Sequence, residues 1–333
     1  MRAVFVTGGS GFVGRNLIAA LRARGDEVRA LVRSDAAAAT VTNAGAVPVR
    51  AELTDTVAMT AAMRGCSAVF HAAAKVEEWG TLADFHAINV AGTEAVLAAA
   101  REASVPVLVH VSTEAVLLGG PPIVNADESR PLPPRPIGLY AQTKGLAETR
   151  VREASSPTLR TVVVRPRLIW GEGDTAVLPK LVEAVRSRRF MWIGGGRHLT
   201  STCHVHNVVE GMLLAAERGR AGEVYFLTDG APTSMRGFMT AMLQSRGVTP
   251  GDRSVPRSVA HALAIAGDAL WRAVGATSPP PLVHGTFHLI GEEVTVVDAK
   301  ARRELGYVGH VAREAGLAAM RYVPGSPRGA SAA

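Results

Sequence analysis

A tyrosine and a lysine four residues apart, in Tyr140-Ala141-Gln142-Thr143-Lys144, open a predicted helix, and this spacing puts the phenol and the ammonium on one face. A tyrosine at its ordinary pKa of about 10 is a poor base at neutral pH. A neighbouring cation favours the phenolate and makes proton transfer feasible. Alone the pair is a weak signal, because helix surfaces generate it by chance. A second feature lifts it: a predicted strand, Val107 to Val111, delivers Ser112 and Thr113 at its carboxyl end. There, either hydroxyl could polarise a substrate carbonyl while Tyr140 passes a proton. A Ser/Thr turn cap would explain the hydroxyls but not their convergence with the Tyr/Lys pair.

The elements that must position these groups follow an α/β pattern. Short Val/Leu/Phe-rich runs at residues 3 to 7, 27 to 32, 46 to 50, 67 to 71, 106 to 111 and 159 to 164 alternate with longer Ala/Leu/Glu/Arg-rich runs. That alternation predicts a doubly wound parallel sheet of Rossmann type covered by helices. Residues 1–166 form the expected dinucleotide-binding domain, and 204–228 return to it through a helix near 204 to 217 and a strand near 222 to 227. Residues 167–203 and 229–323, which include helices near 175 to 188 and 259 to 274, form a smaller C-terminal substrate-binding cap. Residues 324–333, rich in Gly, Ser, Ala and Pro, read as a flexible tail.

The first strand runs into Thr7-Gly8-Gly9-Ser10-Gly11-Phe12-Val13-Gly14, which opens an amphipathic helix to about Arg24. Glycines allow the tight turn and let backbone N–H groups approach a pyrophosphate that the helix N-terminus stabilises. Gly8, Gly11, Phe12, Val13 and Gly14 are therefore candidate dinucleotide contacts. At the end of the second strand, Arg33 stands where an NAD site usually presents an acid to the ribose 2′-hydroxyl. A guanidinium grips a 2′-phosphate, so NADP(H) is favoured over NAD(H), although Asp35 lies two residues further on. Leu53 and Asp55 after the third strand, and Ala72 and Ala73 after the fourth, also fall at carboxyl ends where such sheets bind ligands. Asp55 is expected near the adenine. His71, alone on an apolar strand, is expected to be structural.

The 333 residues are 47% hydrophobic, enough for a sizeable core. A net charge of +7 raises the question of nucleic acid, but the basic residues are dispersed, and Arg186-Ser187-Arg188-Arg189 lacks interleaved aromatics. No nucleic-acid partner is expected. Cys66 and Cys203 show no metal-ligand spacing, so both are expected as reduced packing thiols, and no metal site is expected. No apolar run reaches a membrane span, and the start of the chain has no room for a signal peptide before the glycine turn, so a cytoplasmic location is expected.

Taken together, the glycine turn, Asn89-Val90-Ala91-Gly92-Thr93, Ser112-Thr113 and Tyr140 to Lys144 resemble the extended short-chain dehydrogenase/reductase superfamily over nearly the whole chain. Arg165 to Asp174 and His204-Val205-His206-Asn207-Val208 resemble its later hallmarks. The branch most similar is the bacterial one related to 3β-hydroxysteroid dehydrogenase/isomerase, which implies a bulky hydrophobic hydroxyl or ketone substrate. The resemblance also implies that Thr113 is the catalytic hydroxyl with Ser112 as the alternative, and that Tyr140 is the acid/base. Lys144 would hold the nicotinamide ribose, and Asn89 would have a structural or cofactor-positioning role. It further implies a homodimer packed through the helices carrying Asn89 and Tyr140. Two other readings are a nucleotide-sugar epimerase or dehydratase with tightly held NAD, and a dinucleotide-binding sensor without catalysis. Val116-Leu117-Leu118 stands where sugar enzymes usually carry Val-Tyr-Gly, which weighs against the first.

Overall fold

The computed structural model describes residues 2–77 and 79–321. Seven parallel strands form the central sheet: β1 (Ala3–Thr7), β2 (Glu27–Val32), β3 (Val47–Arg50), β4 (Cys66–His71), β5 (Val107–Val111), β6 (Arg160–Pro166) and β7 (Val224–Leu227). Their spatial order is β7-β6-β5-β4-β1-β2-β3. The strand order reverses between β1 and β4, and the crevice beyond their carboxyl ends is where an open α/β sheet binds ligands. The expected return to the sheet is β7, which pairs in parallel with β6 from Val224 opposite Val163 to Leu227 opposite Pro166.

Central strands buried on both faces explain the near-continuous hydrophobic runs. One core, with Val4, Val6, Phe70, Val109, Val162 and Val164 from the strands, packs against α1 (Phe12–Ala23) and a later helix, Val205–Arg218. The opposite face buries Phe5, Val69, Leu108 and Val163 under α3 (Thr56–Met63) and α5 (Gly92–Glu102). The remaining helices of this half are α2 (Asp35–Asn43), α4 (Leu82–His86) and α6 (Leu139–Glu153).

Beyond β6 lie α7 (Leu178–Arg186), α8 (Val205–Arg218), α9 (Met235–Gln244), α10 (Arg257–Ala273), α11 (His284–Ile290) and α12 (Arg313–Ala319). Trp170, Leu178, Trp192, Met235, Phe238, Met239, Met242 and Met320 make a separate apolar cluster here. Ala301, Leu305 and Tyr307 instead join the sheet-side core beside α8, although sequence reading places them in the cap. Only three apolar side chains make that contact, too few to give the segment a readable periodicity. The expected tail at 324–333 lies outside the described residues. Among the described residues, no helix is long and apolar enough to cross a membrane.

Candidate active site

The glycine turn has no room for side chains. Gly8 sits at φ +71°, and a Cβ there would come within 2.6 Å of the backbone nitrogen of Ala73; one on Gly14 would overlap the Gly8 carbonyl oxygen. The backbone at the end of β4, at Ala72 and Ala73, therefore lies directly against the turn. At the start of α1, Gly11 is the N-cap, with no side-chain cap and no acid in the first turn. The leading N–H groups thus keep their partial positive charge for an incoming anion. A dinucleotide pyrophosphate fits this cradle.

From the turn, one continuous cleft of about 1110 Å³ runs over the carboxyl ends of the strands. It exceeds the roughly 300–1,000 Å³ of an ordinary small-molecule site, as expected if cofactor and substrate share it. Gly8, Gly11, Phe12, Val13, Gly14, Arg33, Leu53, Ala72, Ala73, Ser112, Thr113, Tyr140 and Lys144 all line it. The exposed Arg33 is the first residue after β2. Asp35, the acid that could have replaced it, begins α2 and pairs with Arg50 instead. Asp55 does not line the cleft: its carboxylate accepts from the Ala58 backbone N–H at 2.9 Å and caps α3, while Glu52, Leu53 and Thr54 form that wall. An acid at the start of a helix serves as its cap, and this local demand takes the side chain.

At the chemical end, α6 begins at Leu139, so Tyr140 lies in its first turn and Lys144 one turn on, facing the end of β5. Lys144 Nζ donates to the Val111 carbonyl at 2.7 Å and lies 3.0 Å from His110 Nε2. Burial pushes the ammonium down to about 7, while Glu148 pulls the other way. The Tyr140 phenol is pushed above its ordinary range, first by burial and then by the negative charge of Glu114; a hydrogen bond with the Thr113 side chain opposes this. Without a cofactor's positive charge, the phenol therefore keeps its proton.

The two candidate hydroxyls have different environments. Ser112 Oγ donates to Glu148 Oε2 at 2.7 Å. The same carboxylate accepts from Arg165 Nε at 2.8 Å in a buried ion pair. Thr113 Oγ1 donates to Glu114 Oε2 at 2.9 Å and accepts from the Ala115 backbone N–H at 3.2 Å, and its side chain is the one that opposes the upward push on the Tyr140 phenol. Ser112, the alternative in the sequence reading, is thus tied to the interior pair, and Thr113 is the hydroxyl that meets the phenol. Glu114 in turn pairs with Arg167 at 2.9 Å, also buried. Sequence reasoning missed Glu114, Glu148, Arg165 and Arg167 as supports of the site. Glu148 continues the four-residue spacing of Tyr140 and Lys144, a usable signal; Arg165 on β6 and Arg167 just after it share no such spacing with the site.

Asn89 sits inside a π-helical turn, Ala87–Ala91, an irregularity frequent at functional sites. Its side chain holds the loop after β4 through both backbone groups of Lys75, at 2.7 and 3.2 Å, and reaches Thr143 on α6 at 3.0 Å. It thereby ties the loop after β4 to the helix of Tyr140. His71 is buried between Thr7 and Thr93, at 2.7 and 2.9 Å, and burial pushes its pKa down to about 3. The later hallmark residues converge on Asp229, which accepts from Trp170 Nε1, Thr202 Oγ1, the His204 backbone N–H and Asn207 Nδ2 at 2.6–2.8 Å. Cys66 and Cys203 are free and buried.

A parallel sheet carrying a glycine cradle and a Thr/Tyr/Lys group at its carboxyl edge defines a Rossmann-fold oxidoreductase of short-chain dehydrogenase type. The chain belongs to the 3-beta hydroxysteroid dehydrogenase/isomerase family, which it matches over residues 5–257. It is 53% identical over 326 residues, 98% of each chain, to the 4-hydroxy-2-methyl-3-oxo-4-farnesyl-3,4-dihydroquinoline-1-oxide ketoreductase of Stigmatella aurantiaca. It is 34% identical over 327 residues, 94% of this chain and 97% of the other, to the 2-alkyl-3-oxoalkanoate reductase of Stenotrophomonas maltophilia. Among solved structures, gox2253 superposes with a TM-score of 0.79 at 27% identity, over 96% of this chain and 98% of that one.

Proposed function

We propose that the protein is an NADP(H)-dependent ketoreductase, or alcohol dehydrogenase in reverse, acting on a bulky hydrophobic substrate of roughly steroid size. The observation that carries this reading is the continuity of the cleft. It passes from the glycine cradle across Thr113, Tyr140 and Lys144 to a wall with Leu181, Phe190, Met191, Trp192, Met235, Met239, Leu289 and Ile290. An apolar wall of that extent supports a large hydrophobic partner more than a sugar nucleotide, whose polar face would leave unpaired groups against it. The farnesylated and alkyl keto compounds named for the two relatives point the same way. Residues 167–203 and 229–323, as the substrate-binding cap, supply most of this wall.

When bound, the nicotinamide supplies the hydride for reduction. With its hydroxyl proton turned from Glu114 to the substrate, Thr113 holds the carbonyl oxygen by a hydrogen bond, and Tyr140, kept protonated by its surroundings, donates a proton to the developing alkoxide. Lys144 holds the cofactor ribose and brings positive charge towards the phenol. Arg33 grips the 2′-phosphate. The expected homodimer through the helical segments carrying Asn89 and Tyr140 is part of this reading, and sedimentation of the purified chain tests it.

The test is binding of NADPH and NADH, followed by turnover with 3-keto steroids, 2-alkyl-3-oxo acids and prenylated quinolone-type ketones. NADPH preference that disappears in Arg33→Ala, with turnover of at least one bulky ketone, supports the proposal. A tightly retained NAD with no ketone turnover would overturn it in favour of sugar chemistry or a sensor.

A further inference from the structure

Three histidines meet at the packing of α10 on α11. His261 comes from α10, while His284 and His288 stand one turn apart on α11. Their Nε2 atoms converge: His284 Nε2 lies 3.2 Å from His261 Nε2 and 3.2 Å from His288 Nε2, and one ring nitrogen from each residue lies within 4.8 Å of the others. The rings are partly buried, and His261 also stacks on Phe287 with centroids 4.9 Å apart.

Hydrogen bonds alone serve this arrangement poorly. A ring nitrogen carries either one proton or one lone pair, yet His284 Nε2 faces two partners. The His288 Nδ1 atom lies 2.8 Å from Glu292 Oε2, which places a proton on Nδ1 and leaves the Nε2 lone pair of the neutral ring pointing into the cluster. Arg257, on α10, holds the other Glu292 oxygen at 2.9 Å. A carboxylate that orients a histidine from behind, itself held by another group, is the supporting arrangement of metal-binding imidazoles. The spacing fits too: with metal–nitrogen bonds of about 2.0–2.1 Å, the edge of a tetrahedral site is about 3.4 Å.

We propose that His261, His284 and His288 form a binding site for a divalent cation of the zinc class, with three imidazole ligands and a fourth position open to water. Three nitrogen donors and no ligand carboxylate select borderline ions over Mg²⁺ or Ca²⁺, which take oxygen ligands. The site lies apart from Thr113, Tyr140 and Lys144 in the chain, but it ties together the helices that border the cleft. Gly285, Thr286, Leu289 and Ile290 of α11, with Asp268 and Arg272 of α10, line that cleft. A bound ion fixes the two helices against each other and so holds this wall in place. The sequence reading expected no metal site because it sought cysteine-based spacing, and His261 lies 23 residues from His284.

Tag-free full-length protein, stripped with a chelator, is titrated with ZnCl2 by calorimetry. In parallel it is loaded with Co²⁺ and its visible spectrum is recorded. The expected result is one zinc per chain, tetrahedral cobalt bands and a higher Tm with zinc. Mg²⁺ and Ca²⁺ should give none of these. Glu292→Gln should weaken zinc binding roughly 10–100-fold. His261→Ala/His284→Ala should lose the stoichiometric site, and the single variant His288→Asn provides the same comparison if the double variant does not fold. Absence of saturable zinc binding in the folded wild type, or an unchanged stoichiometry and cobalt spectrum in the folded variants, would overturn the site.

Discussion

Lys144 reaches across from α6 to donate to the backbone carbonyl of Val111 at 2.7 Å, joining the helix that carries Tyr140 to the strand that delivers Thr113. Its charge is held down to about 7 by burial, so the free enzyme is cationic at this position below neutrality and loses that charge above it. Since kcat/KM reports ionisations of the free enzyme, ketone reduction should fall as pH rises through about 7. Lys144→Met should lower kcat/KM by about 10²–10⁴-fold and remove this inflection. An unchanged profile in that variant would show that Lys144 does not control the proton transfer.

Ser112 and Thr113 should separate cleanly. Thr113→Val is expected to lower kcat by about 10²–10³-fold, the loss typical of one oxyanion donor, with little change in Tm. Ser112→Ala removes a donor from the buried Glu148 and should cost about 1–3 kcal/mol of stability while most of kcat is retained. Urea unfolding and steady-state kinetics on both variants distinguish them, and the reverse pattern would reassign the hydroxyl.

Tyr140→Phe keeps the ring and removes the hydroxyl. Turnover should drop by about 10²–10⁴-fold while NADPH affinity stays within a few fold, because the phenol acts on the substrate proton. Fluorescence titration with NADPH measures the second quantity. Retained turnover would refute its acid/base role.

Gly14→Ala places a Cβ into the Gly8 carbonyl and forces the turn open. Dinucleotide binding should be lost or weakened by more than about 100-fold, whereas Gly25→Ala should spare it, since Gly25 shapes a turn at the far end of α1 and a Cβ there meets nothing within 4 Å. Calorimetry with NADPH reads both.

Acid should destabilise the protein through His71. Its native pKa is about 3 against an ordinary value of 6.5. Between these values the unfolded chain takes a proton that the native state refuses, so stability is lost as pH falls from about 6.5 towards 3. From pH 7 to pH 5 this single group contributes a loss of about 2 kcal/mol. His110, buried beside Lys144 and also pushed well down, adds in the same direction. Urea melts at pH 7 and 5 should show a smaller loss in His71→Asn than in the wild type, and equal losses would remove His71 from the account.

The sequence by itself determined the local and periodic features. The apolar runs specify the strands because a strand buried on both faces must be hydrophobic throughout. The turn around Gly8 to Gly14 is legible because only glycine fits there, and Tyr140 with Lys144 because helical spacing alone aligns them. Asp55 shows where this stops: the residue type was noticed, but whether its carboxylate faces a ligand or caps α3 depends on where the helix begins. Ser112 and Thr113, adjacent in the chain, are divided only by Glu148 and Glu114, whose orientations depend on Arg165 at the end of β6 and Arg167 just beyond it. Tertiary structure alone brought His261 to His284 and His288, and joined Ala301 to Tyr307 to the sheet-side core. A contact between distant segments depends on how whole elements pack, and one side chain in each segment leaves no periodic trace of its partner.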